Sequence, residues 1–233
     1  MHIVSRAPRA SVVSQASITV PHLEPRIVHV DDYIIVAEKP AGLLSVPGRG
    51  EHKQDCLIAR IQATYPDARI VHRLDFDTSG LIVLARGAEM HRRLSMAFEK
   101  REVDKRYFAL VHGHVLSQDG EVDLPLIVDW PNRPRQMVDP VNGRRALTNY
   151  RVVELGGTGA DAVSRVELEP VTGRSHQLRV HMMTIGHAIL GDTLYAPPES
   201  AERHARLHLH AAMLAFDHPE TKQRMKFVSP VPF

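Results

Sequence analysis

Apolar and polar positions alternate in short bursts along most of this chain, a pattern that predicts strands more often than helices. Ile27–Val30 and Tyr33–Ala37 are β-rich runs separated by the turn pair Asp31-Asp32, and they read as a hairpin. Lys39-Pro40-Ala41-Gly42 ends the second run, because proline brings no donor to a ladder. The same reasoning predicts strands over Arg69–Leu74, Leu81–Ala85, Tyr107–Val111, Ala146–Val153, Val163–Leu168, Leu207–Phe216 and Met225–Val228. Helical spacing appears in three places. These are Asp55–Tyr65 (Leu57, Ile58, Ile61), Ala88–Lys100 (Leu94 and Phe98 on one face) and Ser175–Ile185, with Gly186 as its stop. Strands grouped in hairpins with few helices predict an α+β fold, a mainly antiparallel mixed sheet flanked by helices and loops.

Composition narrows the picture. The 233 residues allow one large domain or two small ones. Residues 26–233 show no internal linker and read as a single body. Residues 1–25 carry Arg6, Arg9 and several serines with no acid before Glu24, and read as a flexible tail. No apolar run approaches the ~20 residues a membrane span requires. The lone cysteine, Cys56, excludes an intrachain disulfide and predicts a small buried hydrophobe in a reducing compartment. Net charge is only +2, so a nucleic-acid partner would have to be held by a local patch. Arginine far outnumbers the six lysines, and its planar fork suits phosphate contacts and base stacking. Neither a P-loop nor a G-x-G-x-x-G dinucleotide motif occurs, so nucleotide-driven chemistry and hydride transfer have no support and no cofactor is expected.

Four constellations carry candidate chemistry. In His72-Arg73-Leu74-Asp75-Phe76-Asp77-Thr78-Ser79-Gly80 a polar loop lies between two apolar strands, presenting Asp75 from a sheet edge; Arg73 would keep it ionised. An ionised carboxylate there can act as nucleophile or base, although Asp77 reads equally as a turn residue. In Thr172-Gly173-Arg174-Ser175-His176-Gln177-Leu178-Arg179, a chain break puts Arg174 at a helix start beside free amides, a corner that attracts anions. It reads as an ordinary helix start just as well. Lys105-Arg106-Tyr107 places a tyrosine beside cations on a strand, where it could stack on a base, move a proton or simply fill a half-buried position. Asp129-Trp130-Pro131-Asn132-Arg133-Pro134-Arg135, followed by Arg144-Arg145, predicts an exposed basic loop with the only tryptophan, suited to looped RNA or merely solvated. The histidines His204, His208 and His210, or His112 and His114, could in principle hold a metal, but neither group has a nearby acidic ligand and no metal site is expected.

Together these residues resemble the RluA family of pseudouridine synthases. His72-Arg73-Leu74-Asp75 followed by Thr78-Ser79-Gly80 matches that family's H-R-L-D-x-x-T-S-G signature, and Glu38-Lys39-Pro40-Ala41-Gly42-Leu43 resembles its first motif. Lys105-x-Tyr107, Thr172–His181 and Gly186–Asp192 continue the resemblance, which covers roughly residues 27–233. It implies a pseudouridine synthase fold with a catalytic cleft across the sheet, and a body without the S4-type RNA-binding domain of many relatives. Asp75 would be nucleophile or base on a flipped-out uridine, Arg174 its ion-pair partner, and Tyr107 the residue stacking on the target base and able to remove its ring proton. Lys39, Arg73, Trp130, Arg133, Arg135, Arg144, Arg145 and Arg179 would contact RNA. Asp123–Pro134 further resembles the compact subgroup that modifies both 23S rRNA and tRNA, implying stem-loops of both as partners. A monomer in the bacterial cytoplasm is expected. The alternatives are a non-catalytic RNA-binding module and a His-liganded metal hydrolase.

Overall fold

The computed structural model describes residues 24–233. The flexible tail expected over residues 1–25 therefore falls almost wholly outside the described residues. A ten-stranded sheet dominates what is described. Its elements, in chain order, are β1 (Arg26–Val30), β2 (Ile34–Lys39), α1 (Leu57–Gln62), β3 (Ala68–Ile70), β4 (Ser79–Arg86), α2 (Gly87–Glu99), β5 (Asp104–His112), β6 (Asp119–Asp123), β7 (Leu126–Val128), β8 (Gln136–Val138), β9 (Leu147–Gly156), β10 (Val163–Pro170), α3 (Gln177–Thr184), α4 (Pro198–Arg203), β11 (Leu209–Asp217) and β12 (Arg224–Val228).

The main sheet runs β1-β2-β4-β11-β5-β10-β9-β6, with β3 on β4 and β12 on β11; β7 and β8 form a separate ribbon. Every pairing in the main sheet is antiparallel except β4 with β11, which meet in parallel at Ser79↔His210 and Gly80↔Ala211. The expected α+β class with a mainly antiparallel mixed sheet is the observed one. The parallel contact is limited to these two residue pairs at the start of β4. A Cβ added at Gly80 would lie 2.3 Å from the Ala211 carbonyl oxygen, and its φ of +115° also excludes other residues.

β2 and β4 are buried on both faces, and each face carries its own helix. Ile35, Ala37, Ile82 and Leu84 pack with Leu57, Ile58 and Ile61 of α1. Ile34, Val36, Leu81 and Val83 pack with Met90 and Leu94 of α2. Across the sheet, Ala109, Val111, Val166 and Leu168 pack with Leu178 and Met182 of α3. Tyr107 touches both the first and the third of these clusters, which places it at the seam between the two halves of the sheet. Cys56 is fully buried and free, as expected. Several predicted elements are shorter than their patterns, two of them for a visible reason. The strand over Arg69–Leu74 stops at Ile70 because the chain leaves β4 there, and α3 begins at Gln177 because His176 adopts a left-handed conformation (φ 53°). Among the described residues, no helix is long and apolar enough to cross a membrane.

Candidate active site

The loop between β3 and β4 is suspended by its backbone. Ser45 accepts from the Leu74 N–H and donates to the Leu74 carbonyl (3.1 and 2.7 Å). The Phe76 carbonyl accepts from the Gly42 N–H and from Lys39 Nζ, both at 3.0 Å. Ser79, at the start of β4, sits between His210 Nδ1 (2.7 Å) and Arg206 Nη2 (2.5 Å). These bonds fix the peptide on either side of Asp75, whose side chain is 27% exposed at the wall of a cleft of about 1530 Å³.

The cation facing Asp75 comes from α3. Arg179 is 3% exposed, and its Nη1 lies 3.6 Å from Asp75 Oδ2. Its other nitrogens make a bidentate pair with the fully buried Asp192, both bonds at 2.7 Å. Asp192 Oδ1 also accepts the backbone N–H groups of Leu194 and Tyr195. A fork held this way on one side can turn its remaining N–H only toward Asp75. Tyr195 lies under the same guanidinium, 5.1 Å from ring centre to carbon, and its hydroxyl accepts from the Gln136 N–H and shares a 2.7 Å bond with His176 Nδ1. Burial pushes the Tyr195 phenol up to about 12, so it stays neutral beneath the cation.

Tyr107 lines the same cleft from β5 and is half-buried. Burial, then the nearby charge of Asp75, push its phenol upward, so the neutral form prevails. His72 accepts the Val83 N–H at Nε2 (3.1 Å) and stacks on Phe98 at 4.5 Å. Burial, with Lys105 adding to it, pulls this imidazole down to about 3. Asp77 turns behind the loop. Burial pushes its carboxyl upward, against the pull of Arg179 and Lys39.

Three expectations are corrected by this geometry. Arg174 is not the ion-pair partner of Asp75. The Gln177 side chain ties the turn before α3 to β9, accepting from Thr172 Oγ1 and the Arg174 N–H while donating to the Leu147 carbonyl. That knot sends Arg174 to the cleft rim, where its Nε donates to the Arg145 carbonyl (3.0 Å). Arg179 is not an RNA contact, because it is buried and spent on two carboxylates. Lys39 is not one either: it is 1% exposed, and its ammonium donates to the carbonyls of Pro40, Leu43 and Phe76. Burial pulls Lys39 down to about 7, against the opposing pull of Asp77 and Asp75.

The remaining basic residues stay outside. Arg73, Arg144 and Arg174 line the cleft. Trp130 is 64% exposed in a short 3-10 turn between β7 and β8, with the Arg133 guanidinium 4.3 Å over its ring. Arg135 lies 5.4 Å over Tyr195, and Arg145 pairs with Asp123 at 3.3 Å. Of that ribbon, Pro134 reaches the cleft wall. Of the histidines weighed as ligands, His204 and His208 pack edge to face (ring centres 4.9 Å apart), and the others bond non-ligand partners. His112 bonds Ser200, His114 the Gly156 carbonyl, and His210 lies between Ser79 and Ser229. Among the described residues, no three His, Cys, Asp or Glu side chains are placed to hold a metal ion.

Sequence reasoning missed Asp192 and Tyr195 as parts of the site. The one sequence signal was an arginine between Leu178 and Val180 in a predicted helix; the structure buries every residue from Gln177 to Met182, and an arginine in such a helix demands a buried carboxylate.

Comparison with known proteins identifies the family. The family described as RNA pseudouridylate synthase matches residues 33–184, a span that holds Asp75, Tyr107 and Arg179. The chain belongs to this family. As an RNA pseudouridine synthase it catalyses isomerisation of uridine in RNA. It is 52% identical over 207 residues to the dual-specificity RNA pseudouridine synthase RluA of Escherichia coli (strain K12), covering 89% of this chain and 93% of that one. It is 46% identical over 223 residues to the protein of the same description from Pasteurella multocida (strain Pm70), covering 96% of this chain and all of that one. Among solved structures, human RNA Pseudouridylate Synthase Domain Containing 1 superposes with a TM-score of 0.76 at 28% identity, covering 90% of this chain and 84% of that one.

Proposed function

We propose that this pseudouridine synthase is of the dual-specificity type, modifying one uridine in a 23S rRNA loop and another in a tRNA anticodon loop. The observation that carries the mechanism is the Asp75–Arg179–Asp192 chain: a partly exposed carboxylate at a cleft wall, faced by a buried cation that a second carboxylate holds in place. The reaction breaks the bond between uracil N1 and the sugar, turns the detached base and rejoins it through C5. The proton lost from C5 balances the one gained at N1, so no outside reactant is consumed. Asp75 is the group that acts on the sugar, by attack on it or by proton removal from it. Arg179, 3.6 Å away, keeps that carboxylate aimed, and Asp192 keeps Arg179 from turning away.

Tyr107 offers its neutral ring as a stacking face for the uracil. To take the C5 proton it must first pass on its own, and the adjacent Asp75 carboxylate is the acceptor at hand. Because a stacked uridine cannot reach a recessed aspartate, the nucleotide leaves its loop at a cost of a few kcal/mol, least where it is already unpaired. Arg73, exposed at the cleft beside Asp75, is placed to fill the space vacated. Arg144, Arg174 and the Trp130–Arg135 ribbon supply the phosphate and base contacts that a net charge of +2 does not provide globally. The relatives are bacterial and Cys56 is a free thiol, which supports action in the bacterial cytoplasm; we read residues 26–233 as one catalytic body working as a monomer.

The test is incubation with separate anticodon-loop and rRNA-loop transcripts, without additives, followed by nucleoside analysis. Pseudouridine is expected in both. Product in only one would overturn dual specificity. Asp75→Asn should leave the melting temperature and RNA binding close to wild type while product falls below detection; near-normal turnover would remove Asp75 from the mechanism.

A further inference from the structure

Phe76 directly follows Asp75, yet nothing in the reaction described above uses it. It is 49% exposed, and among the described residues it is the one strongly exposed large apolar side chain that lines the cleft. Its exposure is not that of a loose loop. The Phe76 carbonyl is gripped by Lys39 Nζ and the Gly42 N–H, and Leu74 two residues earlier is bonded at both backbone groups to Ser45. The chain spends a buried lysine to fix the peptide that carries this ring. A rigid backbone beneath an unpacked aromatic ring presents a flat apolar face to whatever enters the cleft.

Its surroundings indicate what enters. Arg73, Arg144 and Arg174 line the same cleft, so a polyanion is drawn past the ring. Tyr107, half-buried and adjacent to Asp75, already occupies the inner position suited to the target uracil. The Phe76 ring lies nearer solvent, where the extruded nucleotide's neighbour would pass. Single-stranded segments are held by this combination of cations along the backbone and aromatic faces for successive bases.

We propose that Phe76 is a stacking platform for the base adjacent to the target uridine, and so a residue that selects unpaired loop RNA. This rests on the functional reading above, because it presumes a uridine delivered to Asp75. A stem-loop substrate carrying a fluorescent adenine analogue next to the target uridine, on one side or the other, reports stacking directly. Wild type, Phe76→Ala and Phe76→Trp are compared for fluorescence quenching, KM, kcat and melting temperature. The expected result for Phe76→Ala is loss of quenching and a rise in KM of about tenfold, in line with the value of one stacked base, with kcat within about twofold of wild type. Phe76→Trp should restore both quenching and KM. Unchanged quenching and KM in Phe76→Ala would overturn the proposal. So would a fall in kcat at constant KM that tryptophan fails to rescue, which would make the ring a prop for the Asp75 loop. Failure of the wild type to form pseudouridine on any stem-loop is a different result, and overturns the functional reading instead.

Discussion

The inner wall of the cleft and its rim are built on opposite principles. Inside, Asp75, Arg179 and the Asp192–Tyr195 turn are drawn from three separate stretches of chain, and the arginine that joins them is 3% exposed. At the rim, Arg73, Arg144, Phe76 and Trp130 face water. A charge out of water must be matched within bonding distance, so the inner group tolerates one arrangement only. Rim cations in high dielectric pay little for staying unpaired, and they can meet RNA loops of different shapes. On the proposed reading, chemistry is thereby separated from recognition: one wall would set what happens to a uridine, the other which uridines arrive.

The largest effect expected within this contrast comes from parting the buried pair. Arg179→Met leaves Asp192 charged and uncompensated, a loss of about 3–5 kcal/mol in denaturant unfolding. Adding Asp192→Asn should recover much of that stability without restoring turnover, because Asp75 would still lack its cation. A double variant that regained activity would show that Arg179 acts only as a structural tie. Acid comes next. Burial pulls His72 to about 3 and His210 to about 4, both below the 6.5 of an exposed imidazole. Between those values and 6.5 the unfolded chain binds more protons than the folded one, so stability falls as pH drops through that window and the penalty is complete below it. For His210 alone this amounts to roughly 3 kcal/mol, and His210→Gln should flatten the stability profile from about pH 6.5 to 4. An unaltered slope would mean that His210 is not held neutral. The smallest effect belongs to the rim. Arg144→Gln should weaken stem-loop binding a few-fold and reduce the slope of log affinity against log salt by about 0.7, the share of one phosphate on a single strand. Unfolding should barely change, and a large stability loss there would erase the distinction between rim and wall.

The same contrast explains what could be read from the sequence. Asp75 was legible because its loop is local, one polar stretch between two apolar runs. Most strands were legible because the burial pattern of β2, β4 and β11 is strong. β6, β7 and β8 were not: Val122 is the only buried residue of β6, and the other two are three residues each. The partner of Asp75 was misassigned because choosing between Arg174 and Arg179 requires the path of the chain through His176, whose left-handed conformation has no mark in the sequence. Lys39 was misread for a related reason. An isolated lysine before Pro-Ala-Gly resembles a surface cation, and only the closing of β2 against β4 turns it inward.

The strand that joins the two halves of the main sheet is made late. β1, β2 and β4 on one side and β5, β10, β9 and β6 on the other touch through β11, the penultimate strand to be made. Ser79 finds His210 across 131 positions of chain. A polypeptide made as far as Arg179 has both Asp75 and its cation but still lacks the strip that joins the halves carrying them, because β11 begins only at Leu209. The wall that carries Asp75 and the helix that carries Arg179 are therefore joined into one sheet only once β11 has been made.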